Sequence, residues 1–138
     1  MPRLDKHHET VKNALIKDGW KITDDPLILE IKDLTLYADL GAERTFAAER
    51  DDEKIAVEIK TFESISLTSE LEKAKGQYDF YKLILKLTEP ERDLFLAIPE
   101  KAWKTFFQRP SIQLFMDYYE LKIIVYNTEN EEVKKWIK

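Results

Sequence analysis

From Leu4, the positions Leu4, His8, Val11 and Leu15 recur at intervals of three and four residues, which puts them on one face of a helix, and Gly19 in "DGW" supplies its C-terminal cap. Beyond it the pattern changes to strands. "PLILEI" (26–31), the segment around "LTLYADL", "RTFAAER" and "KIAVEIKTF" read as strands, with "DDE" turning between the last two. Ser69 opens a capping box with Glu72, after which Leu71, Ala74, Tyr78, Tyr81 and Leu85 hold one helical stripe. "DLFLAI" predicts a further strand, "EKAWKTFF" after Pro99 a short helix, "LKIIVYN" a late strand and "NEEVKKWIK" a closing helix. The order α-β-β-β-α-β-α-β-α, with room for a fourth early strand, predicts an α/β architecture, a mixed sheet flanked by helices.

One of these strands carries a polar anomaly. In "IAVEIKTF", Ile55, Val57 and Ile59 point to one face while Ala56, Glu58 and Lys60 point to the other, so a carboxylate and an ammonium share a face. Three more Glu-x-Lys triplets occur, at Glu30–Lys32, Glu120–Lys122 and Glu132–Lys134. The first has no acidic strand before it, the second precedes a strand, and the third falls on the predicted closing helix. Only the pair at 58 and 60 has an acid one hairpin upstream, Asp39, and a polar-marked helix downstream, where Gln77 and Tyr81 stand one turn apart. Two carboxylates and a lysine at one strand end suit a hard divalent cation that neutralises phosphoryl charge and activates water. An ion pair on an exposed sheet face explains the same two residues with no chemistry at all. Glu43 and Glu49 compete with Asp39, because strand register is not fixed by sequence. Tyr81 also fits the core stripe, and Gln77 a solvated helix edge.

Composition narrows the classes. The chain has 138 residues, enough for one domain spanning 1–138, with 43% hydrophobic and 36% charged residues. No apolar run approaches the ~18 residues of a membrane span, and "MPRLDKHHE" lacks the apolar core of a signal peptide. There is no cysteine, hence no disulfide or thiolate metal site, and the expected location is the cytoplasm. The net charge of -5 is opposite to the footprint of a strong non-specific nucleic-acid binder, so any DNA contact is local, metal-assisted or partner-assisted. His7 and His8 are neighbours on a helix, about 100° apart, and cannot readily share one ion, which leaves His8 a structural residue at the stripe's edge. Lys101, Lys104 and Arg109, interleaved with Trp103, Phe106 and Phe107, read as a solvated basic face over packed aromatics or as a local DNA contact.

The element order and the "VEIK" strand resemble the PD-(D/E)xK nucleases, and Gln77 and Tyr81 resemble the Gln-x-x-x-Tyr element of the superfamily's RecB-like members. Over nearly the whole chain, "HHETVKNALIKDGWKITDDP", "YADLGAERTFAAER", "KIAVEIKTF", "GQYDFY", "LAIP" and "EEVKKWIK" resemble, in order, the blocks of the XisH family of cyanobacterial fdxN-element excision controlling factors. One departure is Asp24, where family members often carry histidine. The resemblance implies a restriction-endonuclease-like core and a role in programmed DNA rearrangement beside a site-specific recombinase and a small companion, XisI. It implies that Asp39, Glu58 and the main-chain carbonyl of Ile59 hold Mg2+ or Mn2+, with Lys60 acting on water and phosphoryl oxygens and Gln77 and Tyr81 supporting the site or contacting DNA. A homo-oligomer is compatible with the same reading. So is a catalytically silent module that binds DNA or assembles with the XisI-like partner.

Overall fold

The computed structural model describes residues 2–36 and 45–138, and at its centre lie two strands buried along most of their length. These are β5 (Glu53–Ile59) and β6 (Arg92–Pro99), parallel, with Ile59 beside Ala97. Strands so rich in apolar residues must be covered on both faces. One cover is α2 (Leu67–Thr88), which crosses over from β5 to β6. The other is α1 (Pro2–Lys17), whose Val11 and Leu15 pack on Ile55, Val57, Ile59, Phe95 and Ala97.

Around this pair the sheet grows by antiparallel and parallel additions. β4 (Thr45–Arg50) pairs antiparallel with β5, and β1 (Lys21–Asp24) with β4; on the other side β7 (Ile123–Asn127) lies parallel to β6, and β8 (Glu132–Ile137) antiparallel to β7. The order is β1-β4-β5-β6-β7-β8. A separate hairpin, β2 (Leu29–Ile31) and β3 (Leu34–Leu36), packs through β2 against α2. Past β6 the α2 side is completed by α3 (Glu100–Lys104), a 3-10 turn at Phe106–Gln108 and α4 (Pro110–Tyr119). The expected mixed sheet flanked by helices is what the chain forms, with four α-helices among the described residues. No helix among them is long and apolar enough to cross a membrane.

Four elements differ from the sequence expectation. The closing segment is a strand rather than a helix. Val133 and Trp136, three apart, mimic helical spacing, yet a bulge lets Val125 pair with Lys135 while Tyr126 pairs with Val133, so the extra residue Lys134 returns Trp136 to the face of Val133. α4 was not expected, although Pro110 at its first turn and Ile112 and Met116 on its buried side carry the usual signals. β1 is a short edge strand with little inward-facing surface, which gives periodicity nothing to register. The N-cap of α2 is Ser66 rather than Ser69: the Ser66 Oγ accepts from the Ser69 N–H at 3.3 Å, and the helix begins one turn early so that Leu67 packs on the core.

Two buried polar clamps tie the layers together. Arg92, 7% exposed, donates to the Ile55 carbonyl at 3.0 Å and to Glu89 at 2.9 Å, and lies 3.6 Å from Glu49, joining β4, β5 and the end of α2. His8 Nε2 donates to the Asp25 carboxylate at 2.8 Å, and Lys12 Nζ reaches the same carboxylate at 2.6 Å, fixing α1 to the segment after β1. His8 therefore has the structural role expected of it, and His7 points elsewhere, to the Tyr126 hydroxyl at 2.9 Å. Burial alone would raise the Asp25 pKa, but hydrogen bonds from Lys12 and His8 and their charges outweigh it, and the net shift is downward.

Two outcomes are expected. Ser66→Ala should cost about 1 kcal/mol in urea unfolding while Ser69→Ala, which keeps the backbone donor, costs much less; an equal loss at Ser69 would move the cap back to it. Because the Asp25 pKa is depressed in the folded state, its stabilisation is present above the ordinary carboxylate value of about 4 and is lost as pH falls through the lower folded value. Asp25→Asn should thus lower the thermal midpoint at neutrality and flatten its decline in acid, and parallel acid limbs in wild type and variant would contradict the clamp.

Candidate functional site

Glu58 and Lys60 sit at the carboxyl end of β5, where the sheet stops for a covalent reason. Lys60 N–H donates to the Ala97 carbonyl at 3.0 Å, the last such bond of the β5–β6 ladder. The next donor on β6 facing β5 would belong to Pro99, which has no N–H. The strands therefore part at this point, and the chain leaves β5 toward α2.

Ala56 belongs to the core covered by α2, so alternation puts Glu58 and Lys60 on that same face. Glu58 is 2% exposed, its Oε2 3.8 Å from Lys60 Nζ, and the Lys60 side chain is itself mostly buried. This overturns the reading of an ion pair on an exposed face. Taking a carboxylate and an ammonium out of water costs several kcal/mol per ion before pairing returns part of it, and an apolar pair of similar volume would serve the fold as well or better. The Glu58 charge is felt by Tyr78, whose hydroxyl pKa is raised first by burial and further by Asp79, Asp93 and Glu58, although a backbone hydrogen bond from Lys122 opposes the rise. Tyr78 donates to the Leu94 carbonyl at 3.3 Å inside the α2 interface.

The remaining expected residues fall as follows. Tyr81 is buried in the α2 core stripe, the packing role that its spacing allowed. Gln77, one turn before it, is half-buried, and its Oε1 is fully enclosed with no hydrogen-bond donor among the described residues. Ile59 packs its side chain against α1 and, by the alternation that sends the Lys60 N–H toward β6, turns its carbonyl toward the β4 side. Asp39 and the competing Glu43 lie outside the described residues. Glu49 is excluded: Thr45 pairs with Glu58 and Glu49 with Lys54, which separates the two carboxylates by about 13 Å along the strands, and Glu49 faces Arg92. Among the described residues no three His, Asp or Glu side chains cluster closely enough to hold a metal ion. Glu58 thus supplies one hard oxygen donor of the kind a divalent cation takes, and the other carboxylate would have to come from the segment carrying Asp39.

The loop after Lys60 is built with strain. Phe62 has φ 54°, a left-handed conformation that costs a non-glycine residue about 1–2 kcal/mol. Its ring meets Phe107 edge-on at 4.9 Å and stacks on Phe106 at 5.9 Å, and its N–H donates to Glu70 at 2.8 Å. The same carboxylate accepts from the Ser64 hydroxyl at 2.8 Å and from the Ser64 N–H at 3.3 Å. The capping box assigned to Ser69 drew on Glu72, three residues on, and gave no role to Glu70, which follows Ser69 directly. The first-turn carboxylate instead turns back to hold the loop that carries Lys60.

The family model described as "XisH protein" matches residues 1–134. The crystal structure of an fdxN element excision controlling factor protein from Anabaena variabilis is similar at 41% identity with a TM-score of 0.89, over 97% of this chain and 99% of that one. An XisH family protein from Nostoc punctiforme is likewise 41% identical with a TM-score of 0.87, over 95% of this chain and 98% of that one. Among curated proteins none matches. Matched over residues 1–134 and sharing a fold and two-fifths of its residues with these proteins, the chain belongs to the XisH family.

Proposed function

We propose that this protein is a DNA-processing factor in the programmed excision of a DNA element, with a restriction-endonuclease-like core and a divalent-cation site at the carboxyl end of β5. The observation that carries the reading is the burial of Glu58, 2% exposed, with Lys60 Nζ 3.8 Å away where the central ladder ends. A costly charged pair at a strand terminus is the pattern of a site rather than of a scaffold. Family membership, and the name of the Anabaena variabilis relative, support the excision role.

Asp39, Glu58 and the Ile59 carbonyl would hold Mg2+ or Mn2+, a set of hard oxygen donors that suits either ion. When bound, the cation would neutralise phosphoryl charge and lower the pKa of a coordinated water. Lys60 would orient the attacking water and stabilise the negative charge that grows on phosphoryl oxygens; its place two residues from Glu58 on one strand fixes it without cost at the moment of reaction. Gln77, whose enclosed amide oxygen has no donor among the described residues, would support the site through an enclosed water, with Tyr81 packing behind it. DNA, a XisI-like companion and a site-specific recombinase are the partners this role requires.

A second reading is a catalytically silent module that assembles with the XisI-like partner. It is favoured by the net charge of -5 and by Phe80, Leu83 and Leu87, which expose an apolar stripe along α2. In that case the buried pair is scaffold and binds no ion.

Calorimetry separates the two. Wild type should bind Mg2+ or Mn2+, Glu58→Gln should weaken binding at least about tenfold, and the cation-free double variant Glu58→Gln/Lys60→Met should unfold no earlier than wild type, because neutralising a buried pair is often stabilising. Cation affinity unchanged in a folded Glu58→Gln protein would sink the site assignment.

A further inference from the structure

Beside the Glu58–Lys60 pair, a cavity of about 340 Å³ opens at the carboxyl ends of β5, β6 and β7, the edge at which open α/β sheets take their ligands. Its polar lining converges from four parts of the chain: His7 from α1, Thr61 and Glu63 from the loop after β5, Lys101 from α3 and Thr128 after β7. Thr61 follows Lys60 directly, so the cavity adjoins the proposed site through one peptide bond.

The inventory of donors and acceptors is one-sided. Among the described residues Lys101 has no carboxylate within ion-pair distance, whereas its helix neighbour Lys104 lies 3.4 Å from Glu100. Arg109, the third cation of this stretch, is stacked over Phe106 at 5.2 Å. The hydroxyls of Thr61 and Thr128 make no hydrogen bond within the described residues, while that of Thr105, which also lines the cavity, is used on the Lys101 carbonyl at 2.8 Å. The His7 ring is oriented by the hydroxyl of the fully buried Tyr126, at 2.9 Å from Nδ1, and its Nε2 stands 3.7 Å from Glu63. Glu63 is the one carboxylate of the lining, and its side chain is 69% exposed, so it can swing out to water.

One unpaired ammonium, two unused hydroxyls and a fixed imidazole around a cavity at a strand edge are complementary to a compact anion with several acceptor oxygens. We propose that this cavity is a phosphate subsite, and, resting on the function proposed above, that it holds a backbone phosphate of the DNA strand next to the one presented to Glu58 and Lys60. It would set which phosphodiester bond reaches Lys60, with Glu63 competing for His7 whenever the subsite is empty.

The test is a titration of the whole protein, free of divalent cation, with inorganic phosphate and separately with a short DNA duplex, followed by amide NMR shifts. Saturable shifts at Thr61, Lys101 and Thr128 are expected with phosphate. Lys101→Ala combined with Thr61→Val should weaken them about tenfold, and Glu63→Gln, an exposed change with little risk to folding, should strengthen them. Duplex that moves the same amides and competes with phosphate identifies the DNA backbone as the source. Phosphate binding without such competition supports the site with a free small phosphate as its ligand. Absence of saturable shifts, or shifts indifferent to both the double variant and Glu63→Gln, would overturn the subsite. Because no cation is present, failure here is independent of failure at Glu58, which the calorimetry reads separately.

Discussion

A carboxylate taken out of water in the middle of a six-stranded sheet is the constraint to which the rest of the structure answers. Glu58 could be solvated only if β5 were an edge or one face of the sheet were bare, and neither holds: β4 and β6 flank it and α2 covers its face. What makes the burial tolerable is position. The charge lies at the terminus of β5, where Pro99 ends the ladder and Lys60 can come to 3.8 Å. Moved two residues earlier, to Ala56, the same carboxylate would sit within the apolar core rather than at its edge.

The supports of that position are polar clamps placed away from it. Arg92 binds the opposite end of β5, so the strand is held at its amino end by a guanidinium and at its carboxyl end by the Glu70-anchored loop. Asp25, with His8 and Lys12, holds α1 against the other face. These contacts also absorb charges that sequence alone leaves open for chemistry. Glu49 faces Arg92, His8 faces Asp25, and neither is left to serve as a ligand beside Glu58. Beside the site, tension remains in the left-handed Phe62, and it persists because two phenyl rings and one carboxylate fix it together.

The parts of this arrangement that could be read from sequence are those written in local periodicity. The α1 stripe, the β4–β5 hairpin, the α2 stripe and the parallel strands β6 and β7 follow from spacing, and the two-residue offset of Glu58 and Lys60 put them on one face without any structure. The parts that could not be read depend on partners distant in the chain. The bulge at Lys134 exists because β8 pairs with β7, and it converts a helical spacing into a strand face. Exclusion of Glu49 needed the β4–β5 register. The choice of Ser66 over Ser69 as cap was decided by where Leu67 could pack, since both serines satisfy the local rule. Burial of the Glu58–Lys60 face was equally beyond the sequence: alternation says which residues share a face, and only the packing of α2 says whether that face is wet.

Net charge and local charge then have to be reconciled. A chain of charge -5 gains little from the long-range release of counterions that drives non-specific DNA binding, so its hold on a phosphodiester backbone would come from a few well-placed donors at short range. The carboxyl edge of the sheet is where such donors collect: Lys60 beside Glu58 and, with no ion-pair or hydrogen-bond partner among the described residues, the Lys101 ammonium and the hydroxyls of Thr61 and Thr128. A carboxylate at that edge works against a phosphate held close to it, and Glu58 cannot leave, being buried. A metal ion would therefore change the sign of the local field as well as supply chemistry. Without it the donors at this edge would have to hold a phosphate against the nearby buried carboxylate, and with it carboxylate and donors would act on the same backbone together.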